Sequence, residues 1–172
     1  MDTIERPGMD TPSATPADRA LMRDLRDLYD EYADCLDADE LERWPGFFTD
    51  DCTYQIISRE NYSERLPHAT MYCDGIGMVR DRVLGLRETQ VFEPRMLRHF
   101  VSGLRAAVDG DGLIHARANF LITEALSDKE PHISLVGQYL DILERRGDRL
   151  LFRQRLCVFD NYRIRTSLIV PV

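Results

Sequence analysis

The sequence predicts an α+β fold in one domain, with N-terminal helices packed on one face of a strongly curved, mostly antiparallel sheet. Two observations carry this. Apolar residues recur at helical spacing in the first third, and from Pro94 onward long alternating segments follow one another with turn signals between them. A third supports it: no linker or internal repeat divides the chain, so 17–172 reads as one domain and helices precede strands.

The first sixteen residues hold Pro7, Pro12, Pro16 and Gly8 without periodicity, and Met1–Pro16 reads as a mobile tail. Leu21, Leu25, Leu28, Tyr32 and Leu36 then form a helical stripe, with Asp18 placed to cap it. Asp39 can open a short helix carrying Leu41, Trp44, Phe47 and Phe48, which Pro45 keeps brief or broken. Cys52–Ser58 reads as a first strand, Arg59–Thr70 as a long polar excursion and Gly75–Thr89 as a helix. Leu97–Val108 and Leu113–Ala125 flank Asp109-Gly110-Asp111-Gly112, a hairpin signal. Ile133–Glu144 and Leu150–Phe159 flank the turn Arg146-Gly147-Asp148.

Composition narrows the function. With 172 residues, 44% of them hydrophobic, the chain can close a core without staples. Its net charge of −8 argues against a general electrostatic hold on nucleic acid or on an anionic membrane. No apolar run approaches the ~20 residues of a membrane span, and no signal peptide is visible, which points to a cytoplasmic chain. Cys35, Cys52, Cys73 and Cys157 are scattered and read as reduced, buried small hydrophobes. Lys129 is the one lysine; every other basic residue is arginine, the side chain suited to packed protein interfaces.

Metal, phosphate and nucleophile chemistry find no preformed motif. His68, His99, His115 and His132 lie too far apart in sequence to share a helical turn, and no Cys-x-x-Cys or His-Glu-x-x-His occurs. Gly75-Ile76-Gly77 lacks both a third glycine and a βαβ setting; two small residues that let a helix start close to its neighbours explain it as well. Acid–base chemistry is the one enzymatic route the residues offer. Asp30 on the first helix, Tyr54 on the first strand, and His99 and His115 on later strands could converge inside a cone. Against this, Tyr32 belongs to the apolar stripe, which leaves Asp30 and Glu31 to face water.

Several stretches together resemble one family. Phe48-Thr49-Asp50-Asp51-Cys52-Thr53-Tyr54 is similar to the entry into the first strand of the small (beta) subunits of aromatic-ring-hydroxylating dioxygenases. Met78-Val79-Arg80-Asp81-Arg82 resembles their third helix, and Arg98-His99-Phe100-Val101-Ser102-Gly103 the strand after it. Gly137-Gln138-Tyr139 and Phe159-Asp160-Asn161-Tyr162-Arg163-Ile164 fit in the same order, so the likeness runs from about Ala17 onward.

The resemblance implies an NTF2-like (cystatin-like) cone and the role of a subunit of an oxidoreductase acting in aromatic catabolism. It implies that this chain carries no cofactor. A Rieske [2Fe–2S] centre and a mononuclear iron would sit in a large (alpha) subunit, the two chains forming an alternating three-plus-three hexamer. Met71–Arg95 looks most like members from oxygenases for aromatic acids such as anthranilate, salicylate or benzoates.

Two other classes stay open at this point: a free-standing acid–base enzyme of the dehydratase or isomerase type, and a small-ligand-binding cone. The interior discriminates between them, because a structural subunit should fill it with side chains such as Met78, Leu84, Phe100, Phe120 and Tyr139. On the expected outer face, apolar residues alternate with arginines, and the run Ser167–Val172 is apolar to its end. Arg153, Arg155, Arg163 and Arg165 are the expected polar anchors of an interface.

Overall fold

The computed structural model describes residues 15–88, 93–164 and 168–172. Asp18 caps the first helix, α1 (Arg19–Asp37), its carboxylate accepting from the Leu21 amide at 2.8 Å. The predicted stripe becomes a buried face of Leu25, Tyr29, Tyr32, Cys35 and Leu36. Before it, Thr15–Pro16 (β1) pairs with Val108 and Ala107, so the expected tail is anchored at its last two residues; its first fourteen lie outside the described residues.

Asp39 does not open a helix. It sits in a turn at a φ of 57°, and a 3₁₀ turn follows at Trp44–Phe47, with Pro45 where its missing N–H costs nothing. Phe48 belongs to the first long strand, β2 (Phe48–Ser58), which starts four residues earlier than the sequence suggests. The polar excursion holds a short helix, α2 (Arg59–Ser63), capped by the Ser58 hydroxyl, and it leads to β3 (Met71–Asp74) and α3 (Gly75–Glu88).

The meander comprises β4 (Arg95–Val108), β5 (Ile114–Leu126), β6 (His132–Arg146) and β7 (Arg149–Phe159). Sheet order is β1-β4-β5-β6-β7-β2-β3, and every pairing is antiparallel except β2 with β7. That single parallel pairing brings the early strand across to close the sheet around α1. Helix α1 lies against β4 and β7, while α3 covers β2 and β3.

The core fills the concave side. Alternate residues of β5 (Ile114, Ala116, Ala118, Phe120, Ile122) and of β6 (Leu135, Tyr139, Leu143) meet Leu25, Tyr29 and Tyr32 of α1. Trp44, Phe48, Tyr54 and Phe152 complete an aromatic cluster of mostly edge-on contacts, with Trp44 and Tyr54 ring centroids 5.0 Å apart. Gly137 is required where β6 crosses β7: a Cβ there would lie 2.1 Å from the Val158 carbonyl oxygen. A smaller cluster, Ile57, Leu156 and Val158, lies on the convex side under Tyr62 of α2.

Of the five side chains expected to fill the cone, Phe120 and Tyr139 do so. Met78, Leu84 and Phe100 instead point outward, 45%, 54% and 58% exposed. All four cysteines are free and buried, as their scattered spacing suggested.

Candidate functional site

Several polar groups of the concave interior meet around Asp141 and Arg155. The inward positions of β6 carry Tyr139 and Asp141, both buried among leucines. Arg155 of β7 reaches them because of a bulge. Leu143 pairs with Phe152 and Ile142 with Gln154, so Arg153 is an extra residue and the in–out alternation reverses there. Leu150 and Phe152 point inward before it; Arg155, Cys157 and Phe159 point inward after it.

This corrects the expectation for Arg155, which strict alternation assigned to the same outer face as Arg153. It is 1% exposed inside the cone. Arg153 does face outward, 3.8 Å from the Asp51 carboxylate, and Arg163 is exposed. Arg165 lies outside the described residues.

The Arg155 guanidinium donates to Asp141 Oδ2 at 3.2 Å, and the Tyr29 hydroxyl donates to the same oxygen. Aromatic rings surround the cation. Its central carbon lies 3.8 Å from the Tyr139 centroid, 3.9 Å from Tyr32 and 4.4 Å from Phe152. The pair carries the cost of burial unequally. Desolvation pushes the Asp141 carboxyl up to about 6 against the pull of Arg155. Burial also opposes the charge on Arg155, but Asp141 and the tyrosines outweigh it and hold the guanidinium protonated.

A second group sits at the mouth. Trp44 Nε1 donates to the Tyr32 hydroxyl at 2.9 Å, and Tyr32 donates to the Val172 carbonyl oxygen at 3.1 Å. Burial raises the Tyr29, Tyr32 and Tyr54 hydroxyls well above their ordinary range and pushes the Cys157 thiol up to about 12, so all four stay protonated at neutral pH. Between Leu168–Val172 and the ends of β4–β6 only a crevice of about 20 Å³ is left, roughly the room one water needs.

The four residues proposed for acid–base work do not converge. Tyr54 is buried in the aromatic cluster. His99 faces inward on β4, held by the Asp37 carboxylate at the end of α1, with Nδ1 to Oδ1 at 2.6 Å and the His99 amide donating to Oδ2 at 3.0 Å. Asp30 is exposed on the far side of α1. His115 lies at an outward position of β5, bound to Asp109 at 2.7 Å; that carboxylate also shapes the hairpin turn, and the bond from His115 holds it below the usual range. Among the described residues no three His, Cys, Asp or Glu side chains gather where a metal ion could be held.

Sequence reasoning missed Asp141. Its signal was a carboxylate on the same strand face as Leu135, Tyr139 and Leu143, an arrangement that implies burial with a counter-charge.

Helices seated in the concave side of a bent sheet, with the interior filled and Asp30, Tyr54, His99 and His115 set apart from one another, define an NTF2-like cone built around a packed centre. The comparisons place it more narrowly: residues 31–166 match the model of the ring hydroxylating beta subunit family, and the chain belongs to that family. It is 36% identical over 145 residues to the anthranilate 1,2-dioxygenase small subunit of Burkholderia cepacia, covering 84% of this chain and 90% of that one. It is 30% identical over 142 residues to terephthalate 1,2-dioxygenase terminal oxygenase component subunit beta 1 of Comamonas sp, covering 82% and 92%. A crystal structure assigned as a dioxygenase beta subunit from Novosphingobium aromaticivorans superposes with a TM-score of 0.81 at 35% identity, covering 90% of this chain and 98% of that one. These relatives are subunits of dioxygenases, and dioxygenases are oxidoreductases.

Proposed function

We propose that this chain is the non-catalytic small (beta) subunit of a terminal oxygenase that hydroxylates an aromatic carboxylate in the cytoplasm. The observation that carries the reading is the filled cone: Arg155 and Tyr29 both donate to Asp141 Oδ2, aromatic rings pack around the guanidinium, and the mouth is occupied by Leu168–Val172. A free-standing acid–base enzyme needs a base aimed at an open pocket, and Asp30, His99 and His115 point to three different places. Anthranilate and terephthalate, named in two relatives, are both aromatic acids, which supports that substrate class.

The Rieske [2Fe–2S] centre and mononuclear iron of such an enzyme belong in this reading to the large (alpha) subunit. The donors of this chain do not fit them: among the described residues no three His, Cys, Asp or Glu side chains gather, and His99, His115 and His132 each lie against a carboxylate. Its own contribution is a rigid surface. Met96, Phe100 and Ile133 are 71%, 58% and 53% exposed on or beside the convex face, an apolar area with Arg153 elsewhere on that face and Arg163 beyond β7. We assign this area to self-association as a trimer and to docking of the large subunit in a three-plus-three hexamer, with Arg153, Arg163 and Arg165 as polar anchors.

Co-expression with the large subunit, followed by sizing, tests the reading. The expected product is a mixed hexamer. Arg153→Glu combined with Phe100→Asp should leave the chain folded and unable to assemble. A monomer at high concentration that ignores the large subunit would overturn the proposal.

A further inference from the structure

Leu168–Val172 belongs to no helix or strand, yet Val172 is 3% exposed. Three side-chain donors from three different elements meet on its one carbonyl oxygen: Tyr32 at 3.1 Å, Tyr54 at 3.2 Å and the Cys157 thiol at 3.4 Å. The Val172 amide donates back to the Tyr54 hydroxyl at 2.7 Å. Three convergent donors form a cradle for an acceptor oxygen. Tyr32, Tyr54 and Cys157 are each no more than 1% exposed, and the rings of Trp44 and Phe48 adjoin them.

The segment that fills the cradle touches the rest of the cone along a defined seam. The crevice described above runs along its seam with the sheet, and outside the cradle it is latched by Arg82 of α3, whose Nη2 donates to the Ile169 carbonyl at 2.5 Å.

We propose that the cone retains a binding site for a small carbonyl or carboxylate compound with an apolar body, and that residues 168–172 occupy it as a built-in ligand. Tyr32, Tyr54 and Cys157 would donate to the ligand oxygen, the Tyr54 oxygen would accept from an adjacent N–H, and the aromatic walls would hold the apolar part. Withdrawal of the segment, through loss of the Arg82 latch, opens the site.

Trp44 is the one tryptophan in the chain and donates directly to Tyr32, so its fluorescence reports on the cradle. The experiment uses the full chain in three forms: wild type, Arg82→Gln/Val172→Gly, and that variant with Tyr54→Phe. Each is titrated with N-acetylvalinamide and with N-acetylvaline, which separate an amide from a carboxylate preference. The release variant should bind one of them with a dissociation constant on the order of 1 mM, as expected for so few contacting atoms. Wild type should need at least tenfold more, and Tyr54→Phe should weaken binding at least tenfold.

Equal binding by wild type and release variant, indifference to Tyr54, or no binding by a folded release variant would each overturn the proposal. Hydrogen exchange on wild type and on the single Tyr54→Phe variant gives an answer even if the release variant does not fold. The Val172 amide should exchange at least tenfold faster in the variant while β6 is unchanged, and equal protection would refute the cradle.

Discussion

Arg155→Met is the sharpest test of the buried centre. Methionine keeps the apolar contacts with Tyr32, Tyr139 and Phe152 but removes the cation facing Asp141. Breaking a buried pair by deleting one partner costs about 3–5 kcal/mol. For a chain of 172 residues that is a fall in Tm of about 6–20 °C.

The cost should depend on pH. Burial raises the folded-state Asp141 carboxyl from 3.8 to about 6, so the folded protein binds this proton more tightly than the unfolded chain. The stability linked to it is therefore complete below about pH 4 and lost as pH rises through 6, about 3 kcal/mol in wild type. Without Arg155 the carboxyl moves higher still, and the loss continues above pH 6. Urea denaturation of both proteins at pH 4.5, 6 and 8 should show a small difference at pH 4.5 and the full one at pH 8. A cost below 1 kcal/mol at pH 8, or one that does not change with pH, would refute the assignment of Arg155 and Asp141 as a mutually dependent pair.

Gly137→Ala should be among the most damaging single changes. Its methyl would meet the Val158 carbonyl at 2.1 Å and the Phe159 Cα at 2.8 Å, so β6 and β7 must part, and thermal unfolding should show a loss of about 3 kcal/mol or more. Asp37→Ala removes the acceptor of both the His99 ring and the His99 amide. A cost of about 1–3 kcal/mol is expected by denaturant unfolding, with the fastest-exchanging new amides at the end of α1 and in the middle of β4.

Local chemistry was legible wherever a short pattern settled it. The Leu21–Leu36 stripe, the Asp18 cap and the Asp109–Gly112 hairpin all sit where spacing places them, because each is decided within a few residues of chain. What depended on distant partners was not. The bulge at Arg153 is defined only by pairing with β6, and without it alternation puts Arg155 outside. Phe100 looked like filling because it is large, yet its parity on β4 turns it outward. The apolar run at 167–172 reads as interface surface; its described part, 168–172, turns inward because hydroxyls on α1 and β2 await it, and no local pattern announces them. The parallel pairing of β2 with β7 is likewise a long-range choice that no segment of sequence shows alone.

The edge formed by β4 bears on how the chain survives before it meets any partner. Fourteen residues of strand with a bare edge would present a row of free amides and carbonyls onto which another chain could polymerise. Here Thr15–Pro16 and the Ala17 amide cover Ala106–Val108, and Pro16 offers no further donor outward. Further along, the register slips between Ser102 and Arg105, where Gly103 takes a φ of +66°, and the slip breaks the straight run a docking strand would need. Outward-pointing Arg98 and Arg105 add charge repulsion between like copies on either side of the break. A newly made chain is thus guarded against amyloid-type growth along this edge.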